Sequence, residues 1–168
     1  FTIKELGDFT STMHTVRPGE TVYVDGPYGA FTLDPASTAG CVFVAGGIGI
    51  APLMSLLRSL ADARDTRPIV LFYGYRTWDR LTFREEIDTL TSRLRLTVVY
   101  VLLEPPVDWT GERGLIDAAL LARHVPVPHT AWQYYVCGPT GLIAGTERAL
   151  GALGVPATQV HSEIFDLV

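Results

Sequence analysis

CVFVAGGIGIAPLMSLL, residues 41–57, lies within an uncharged run of the chain and combines two patterns. The segment VFVA is typical of a buried strand, whereas PLMSLL has the spacing of an amphipathic helix. A membrane-spanning helix needs about 20 consecutive apolar residues, and glycines together with Pro35 and Pro52 interrupt this run. The stretch therefore predicts a buried strand, a glycine-rich loop and a helix.

From Gly40 onward the chain repeats this alternation of strand and helix, which is the pattern of a parallel α/β sheet. A capping box of Thr82 and Glu85 is expected to begin the second helix. Right-handed crossovers then give an α/β fold with a doubly wound five-stranded parallel sheet in the order 3-2-1-4-5. The predicted helices cover about 50–63, 82–93, 117–124 and 139–153. The predicted strands are CVFVA (41–45), IVLFYGY (69–75), LTVVYVL (96–102), WQYYVC (132–137) and TQVHSE (158–163).

Length and charge limit the classes of function. The chain has 168 residues, with 13 Lys and Arg against 18 Asp and Glu, for a formal net charge of −5. This length fits one α/β domain, or one domain with a fragment of another. No stretch concentrates basic residues as nucleic-acid binding requires. The four histidines show no metal-ligand spacing with acids or cysteines, so no metal site is expected.

The loop after the first strand has the composition of a phosphate-binding loop. Gly46, Gly47 and Gly49 would let the backbone approach an anion, and Pro52 would open the helix whose free N–H groups face it. A tight strand-to-helix turn without a ligand is the alternative. The ordinary dinucleotide fingerprint is not met, because no acid ends the second strand. Arg76 stands there instead, either to meet a 2′-phosphate or pyrophosphate, or as a solvated surface residue.

A second loop of similar type, CGPTG at 137–141, follows the fourth predicted strand and carries Pro139. In the order 3-2-1-4-5 the two loops flank the crevice at the topological switch point, where open α/β sheets bind ligands. Cys41 and Cys137 would lie more than about 10 Å apart on neighbouring strands, which excludes a disulfide. Cys137 is then either a free thiol at the mouth of the crevice or a small buried residue.

Seven motifs taken together resemble the ferredoxin–NADP reductase superfamily, and they occur in that superfamily's order across nearly the whole chain. Members pair a β-barrel flavin domain with a nicotinamide-nucleotide domain and pass a hydride from NAD(P)H to the flavin. The motifs are GPYGAF (26–31), AGGIGIAP (45–52), FYGYRT (72–77), FREEI (83–87), WTGERG (109–114), YVCGPTG (135–141) and HSEIF (161–165).

The resemblance implies a division of the chain into residues 1–33, the end of a FAD-binding β-barrel domain, a linker at 34–40, and an NAD(P)-binding domain at 41–168. Residues 1–33 alternate in the manner of strands at TIKEL and TVYVDG. Gly7 and Thr10 match a segment near the flavin pyrophosphate, although an ordinary capped turn is the alternative. FAD is expected in the complete protein and not on this part of the barrel alone.

The resemblance also implies roles for individual residues. Gly46, Gly47, Gly49 and Pro52 would bind the pyrophosphate, and Arg76 the adenosine ribose or its phosphate. Cys137 and Gly138 would lie against the nicotinamide, and Pro139 would also belong to the cofactor site. Glu163 would help to orient Cys137 and the nicotinamide, and Phe165 would cover the flavin. For Glu163 and Phe165, a C-terminal strand packed on the sheet is the alternative.

The function implied is an NAD(P)H-dependent flavoprotein oxidoreductase. Its partners would be the nicotinamide nucleotide, an upstream flavin domain and an electron acceptor: haem, an iron–sulfur centre, ferric iron or oxygen. Its location would be cytoplasmic, or on the cytoplasmic face of a membrane-anchored parent. A nucleotide-binding regulatory or structural module without turnover is the alternative, and a cysteine hydrolase using Cys137 and His161 is a third.

Overall fold

The computed structural model of the chain describes residues 2–26, 28–33 and 39–165. It divides into two compact units, Phe1–Ala30 and Phe31–Val168. Most of the predicted linker, residues 34–38, lies outside the described residues, and the domain boundary at residue 33 stays a prediction.

In the first unit, the described residues form a short helix, α1 (Gly7–Ser11), followed by a 3-10 turn at Met13–Thr15. Neither TIKEL nor TVYVDG forms a strand, so the strands predicted in residues 1–33 are wrong for the described part of that segment. Alternation of apolar and polar residues predicts which face of a strand is apolar. A strand forms, however, only where a neighbouring strand is available for hydrogen bonding. Val22, Tyr23 and Val24 are accordingly exposed.

The second unit is built on a parallel sheet in the order β4-β3-β2-β1-β5-β6. The five predicted strands lie in the predicted order 3-2-1-4-5, which confirms the fold class. A sixth strand, β4, pairs with the end of β3, so the predicted count of five is wrong by one. The strands are β1 (Gly40–Gly46), β2 (Ile69–Tyr75), β3 (Leu96–Leu102), β4 (Glu112–Arg113), β5 (Trp132–Gly138) and β6 (Val160–Ile164).

Two helices cover each face of the sheet. Phe43 and Ala45 of β1 point into a core shared with α2 (Ile50–Asp62) and α3 (Arg84–Thr91). The alternate residues Val42 and Val44 point into a second core, shared with α4 (Ala118–His124) and α5 (Thr140–Ala152). Because β1 is buried on both faces, its apolar run carries no charge. Among the described residues, no helix has the length and apolar character needed to cross a bilayer.

The capping box predicted for α3 does not form. The helix begins at Arg84, and the residue before it, Phe83, has a left-handed backbone with φ 61° and no side-chain cap. The Thr82 hydroxyl lies 3.2 Å from the phenolic oxygen of the buried Tyr73 instead. The Thr82 side chain, which the local sequence predicted as the helix cap, therefore forms a tertiary hydrogen bond instead.

Candidate functional site

The neighbouring strands β1 and β5 define the topological switch point of the sheet. The chain leaves β1 for α2 on one face and leaves β5 for α5 on the other. Both helices have 13 residues and begin at the carboxyl edge of the sheet. Each helix N-terminus carries a partial positive charge of about half an elementary unit, so this crevice favours an anion.

The two glycine-rich loops meet in direct backbone contact. A Cβ on Gly49 would lie 2.2 Å from the carbonyl oxygen of Cys137 and 2.7 Å from the nitrogen of Gly138. A Cβ on Gly46 would lie 2.6 Å from Leu142 Cδ2 and 3.2 Å from Pro139 Cδ. Glycine at both positions therefore brings the ends of β1 and β5 together as one surface.

Gly47 has a left-handed backbone, with φ 55°, and a Cβ there would have only the ring of Tyr75 within 4 Å. Gly47–Gly49 form a 3-10 turn that runs directly into α2. The sequence predicted that Pro52 opens the helix, and this is wrong by two residues. Pro52 is the third residue of α2. Its missing N–H still falls in the first turn, where an intrahelical partner is lacking anyway.

Cys137 is free, as is Cys41, which confirms the absence of a disulfide. Its position at the end of β5 is also as predicted, but its side chain is completely buried and not exposed at a crevice mouth. Burial, with a smaller contribution from the charge of Glu163, raises the pKa of the Cys137 thiol to about 12. The group is therefore a neutral thiol at physiological pH.

Glu163 and Phe165 lie at the same edge as Cys137. In the pairing of β5 with β6, Glu163 is directly opposite Cys137, and Ile164 is opposite Gly138. The Phe165 N–H donates a hydrogen bond of 3.1 Å to the Gly138 carbonyl, and its side chain is partly exposed. The structure thus groups the three residues predicted as catalytic around the second glycine loop, while their roles stay predictions.

Arg76 follows β2 at the same carboxyl edge and forms an ion pair. Its guanidinium Nη2 lies 2.8 Å from Glu104 Oε1, and both side chains are more than half exposed. The pair lowers the pKa of the Glu104 carboxyl and raises that of the Arg76 guanidinium, because each charge stabilises the other. Arg76 is therefore a solvent-exposed cation with a carboxylate partner, and its contact with a nucleotide stays a prediction.

Gly7 and Thr10 belong to the first unit. Gly7 has φ 72° at the start of α1. The Thr10 hydroxyl accepts a 2.7 Å hydrogen bond from the Leu6 N–H and donates one to the Leu6 carbonyl. These contacts tie the first turn of α1 to Leu6 without a side-chain cap on the helix, and the flavin role of the two residues stays a prediction.

Two residues near the site were not singled out from the sequence. Tyr75 ends β2 beside Gly47, and Glu104 follows β3 beside Arg76. The signal for Glu104 was present, because the order 3-2-1 makes the ends of β2 and β3 neighbours and places the acid of LLEPP near the arginine of YGYRT.

The hydrolase alternative lacks a usable base and nucleophile. His161 Nε2 lies 3.0 Å from Gln133 Oε1, and its ring stacks on that of Tyr135 at a centroid distance of 4.8 Å. A nucleophilic cysteine needs a lowered pKa, and that of Cys137 is raised. In the described part of the chain no three or more His, Cys, Asp or Glu side chains form a potential metal site.

A doubly wound sheet with two touching glycine loops at its switch point defines a nucleotide-binding α/β domain. Residues 43–148 match the oxidoreductase NAD-binding domain family. The chain belongs to this family, within the ferredoxin–NADP reductase superfamily that its motifs resemble.

Similar proteins include two oxidoreductases. Ferredoxin–NADP reductase B of Sorangium cellulosum is 33% identical, over 96% of this chain and 69% of the relative. NADH-cytochrome b5 reductase 1 of Debaryomyces hansenii is 29% identical, over 98% of this chain and 59% of the relative. The chain thus spans less than two thirds of that second relative's length.

The same fold occurs in solved structures. The cytochrome b5 reductase domain of Ulva prolifera nitrate reductase superposes with a TM-score of 0.82, at 21% identity, over 94% of this chain and 64% of that one. The ferredoxin reductase in carbazole 1,9a-dioxygenase gives a TM-score of 0.76 at 25% identity, over 95% and 48%.

Proposed function

We propose that this chain is the nicotinamide-nucleotide part of a flavoprotein oxidoreductase and positions NAD(P)H for hydride transfer to FAD. The observation that carries this proposal is the backbone contact of Gly49 with the peptide between Cys137 and Gly138. That contact makes one ligand surface from two loops, as a dinucleotide with two ends requires.

The residues present fit such a ligand. The first loop, with Gly46, Gly47 and Gly49, offers bare backbone and a helix N-terminus to a pyrophosphate. The second loop offers Gly138 and Pro139 at the N-terminus of α5. When bound, the nicotinamide supplies a hydride and the flavin accepts it.

The protein's own groups would orient the reacting ring. Cys137 remains protonated and cannot act as a base, so its role is packing and positioning. Glu163, opposite Cys137, would direct the nicotinamide. Phe165 is held by its backbone bond to Gly138, with a partly exposed side chain available to cover a flavin ring.

FAD itself would be held by a barrel of which residues 1–33 form the end. The relatives named above are longer than this chain, which leaves room in them for such a domain. Their names include cytochrome b5 and ferredoxin, and we infer an acceptor of the same general class here: haem, an iron–sulfur centre, ferric iron or oxygen. The cytoplasmic location stays a prediction.

Nucleotide binding is the first testable consequence. We expect the full 168-residue chain to bind NADH and ADP-ribose saturably by calorimetric titration, because the glycine loop and the start of α2 would bind their shared pyrophosphate. Nicotinamide mononucleotide, which has no pyrophosphate, should bind at least about tenfold more weakly, since charge-assisted hydrogen bonds each contribute about 1.5–3 kcal/mol. Absence of binding by both ADP-ribose and NADH would contradict the proposed function.

Removal of the Cys137 sulfur tests turnover separately from binding. In the flavin-containing protein, we expect Cys137→Ala to slow flavin reduction by NAD(P)H about tenfold, because the reacting ring loses one of its positioning contacts. The nucleotide Kd should change less than about twofold, since affinity resides in the pyrophosphate and ribose. Stopped-flow absorbance of the flavin and equilibrium titration give the two quantities.

Cys41→Ala is the matched control, because Cys41 is an equally buried thiol at the far end of β1. It should leave flavin reduction unchanged. Equal effects of the two substitutions would reduce Cys137 to a packing residue. Binding without any flavin reduction in the unmodified protein would instead favour the regulatory module without turnover.

A further inference from the structure

Leu142 lies in the first turn of α5 and contacts both glycine-rich loops. A Cβ on Gly46 would lie 2.6 Å from Leu142 Cδ2, and a Cβ on Gly138 would lie 2.8 Å from the same carbon. Helical side chains lean toward the N-terminus of their helix, so a residue in this turn reaches the carboxyl edge of the sheet. One methyl group therefore fills the space beside the last residue of β1 and the last residue of β5.

The Leu142 methyl group lies where the two central strands separate. The regular pairing of β1 with β5 ends at Ala45 and Cys137, one residue before the two glycines. A Cβ on Gly138 would also lie 3.2 Å from the Gly46 Cα, so the two backbones are still close at this point. Beyond it, the first loop leads into α2 and the second into α5, on opposite faces of the sheet. The methyl group thus lies at the fork between the two loops.

The backbone of Leu142 is fixed to the second loop. Its N–H donates a 2.9 Å hydrogen bond to the Pro139 carbonyl, and the N–H of Ile143 donates one of 3.2 Å to the same carbonyl. The Leu142 side chain is partly buried against the core that α5 shares with the sheet. The second loop and α5 therefore fix the position of Cδ2, and its contact with Gly46 transmits that position to the first loop.

We propose that Leu142 is a positioning residue, which sets the separation of the two glycine-rich loops and so the orientation of the nicotinamide. This inference rests on the proposed function, in which the first loop binds the pyrophosphate and the second lies against the nicotinamide. Leu142 would act through Gly46 and Gly138, without touching the reacting atoms itself.

The two ends of the ligand should respond differently to the loss of this contact. The pyrophosphate would bind to the first loop and the start of α2, which stay joined when Leu142 is shortened. Hydride transfer needs the reacting atoms about 3–3.5 Å apart, and a displacement of about 1 Å can slow it about 100-fold. A shorter side chain at position 142 should therefore impair hydride transfer while nucleotide affinity persists.

The contact itself is tested by exchanging bulk between Gly46 and Leu142 in the full chain. Gly46 has an ordinary extended backbone, with φ −125° and ψ 122°, so a methyl group there is resisted by its neighbours and not by the backbone. These neighbours are Leu142 Cδ2 at 2.6 Å and, less closely, Pro139 Cδ at 3.2 Å. We expect Gly46→Ala alone to lower the midpoint of thermal unfolding and to weaken ADP-ribose binding about tenfold. In the Leu142→Ala protein, the same change should cost less than half as much in both measurements.

The positioning role is tested in the flavin-containing protein by stopped-flow reduction and equilibrium titration. Leu142→Ala should slow flavin reduction at saturating NAD(P)H about tenfold and change the nucleotide Kd less than about twofold. Leu142→Met keeps the side-chain volume and should restore the rate to within about twofold. On the 168-residue chain, NADH bound to the Leu142→Ala variant should show a lower fluorescence anisotropy, because its nicotinamide ring is held less firmly.

Leu153→Ala is the matched control. Leu153 follows the other end of α5, about 16 Å along the helix from Leu142, and is also partly buried against the same core. Both alanine variants should lower the midpoint of thermal unfolding by about 4–8 °C, because each loses a partly buried leucine. Leu153→Ala should leave the rate of flavin reduction and the anisotropy of bound NADH unchanged.

The outcomes separate the two proposals. If the unmodified chain binds neither ADP-ribose nor NADH, the proposed function fails, and the positioning role fails with it. If both bind, three results would each show that the role of Leu142 is wrong while the nucleotide site stands. These are additive effects of the Gly46 and Leu142 substitutions, an unchanged rate of flavin reduction in Leu142→Ala, and an equal loss of rate in Leu153→Ala.

Discussion

Gly49→Ala is expected to lower the free energy of unfolding by about 3 kcal/mol and to reduce NADH affinity by about 10- to 100-fold. The added methyl group would lie 2.2 Å from the Cys137 carbonyl oxygen, a distance that backbone atoms must move to relieve. Separation of the loops then displaces both halves of the nucleotide site. For a chain of this size the midpoint of thermal unfolding should fall by about 6–12 °C.

Gly145→Ala provides the control for this substitution. Gly145 lies within α5, and a Cβ there meets nothing within 4 Å, so alanine should raise stability by about 0.5–1 kcal/mol. Gly47→Ala is intermediate, because the space is open but its φ of 55° is left-handed and strained by about 1–2 kcal/mol. Calorimetry and nucleotide titration of all three variants should give that order. A Gly49→Ala protein with unchanged melting temperature and affinity would contradict the loop contact.

The central strands could be predicted because burial on both faces removes charge from their sequence. β1, β2 and β5 are the clearest cases, and the observed bounds of β2 and β3 equal the predicted ones. β4 could not be predicted, because Glu112–Arg113 is too short to have a period and is polar. It exists through its pairing with Val101 and Leu102, which is a tertiary contact.

The misplaced start of α3 has a similar cause. Thr82 and Glu85 have the right spacing for a capping box, but the hydroxyl of Tyr73, buried in the sheet, takes the Thr82 side chain. Phe83 then adopts a left-handed backbone at the cap position. Local spacing reports what a side chain is able to bond, whereas the fold decides which partner comes within reach.

The site was predictable to the same extent as the strand order. Once β1 and β5 are neighbours, the meeting of Gly49 with Gly138 follows from the positions of the two loops. The burial of Cys137 did not follow, because it depends on side chains packed around the end of the strand. Predicting the pair of Arg76 and Glu104 required one further step, a comparison of the charged residues that follow the neighbouring strands β2 and β3.

Cys137 should react with a thiol-specific alkylating reagent about a thousandfold more slowly than an exposed cysteine at pH 8. Its pKa of about 12, against an ordinary value of 9.0, leaves that much less thiolate, and burial adds a steric barrier. Cys41, whose pKa burial raises to about 11, should react about a hundredfold more slowly than an exposed thiol. Mass spectrometry of Cys41→Ala and Cys137→Ala proteins measures each site alone.

The same chain unfolded in guanidinium is the control, because both thiols should then react at the exposed rate. The pH dependence of stability tests separately whether the pKa values of the two buried thiols are raised. An unfolded thiol ionises near pH 9, whereas each folded thiol stays protonated until the pH reaches its raised pKa. The contribution of each buried thiol to the free energy of unfolding is therefore complete below pH 9. It falls by about 1.4 kcal/mol for each pH unit above that. The Cys137→Ala protein should therefore lose stability less steeply between pH 9 and 10. A native Cys137 that is alkylated at the exposed rate would be an accessible thiolate, which would contradict the neutral positioning role proposed for it and restore covalent chemistry to this site.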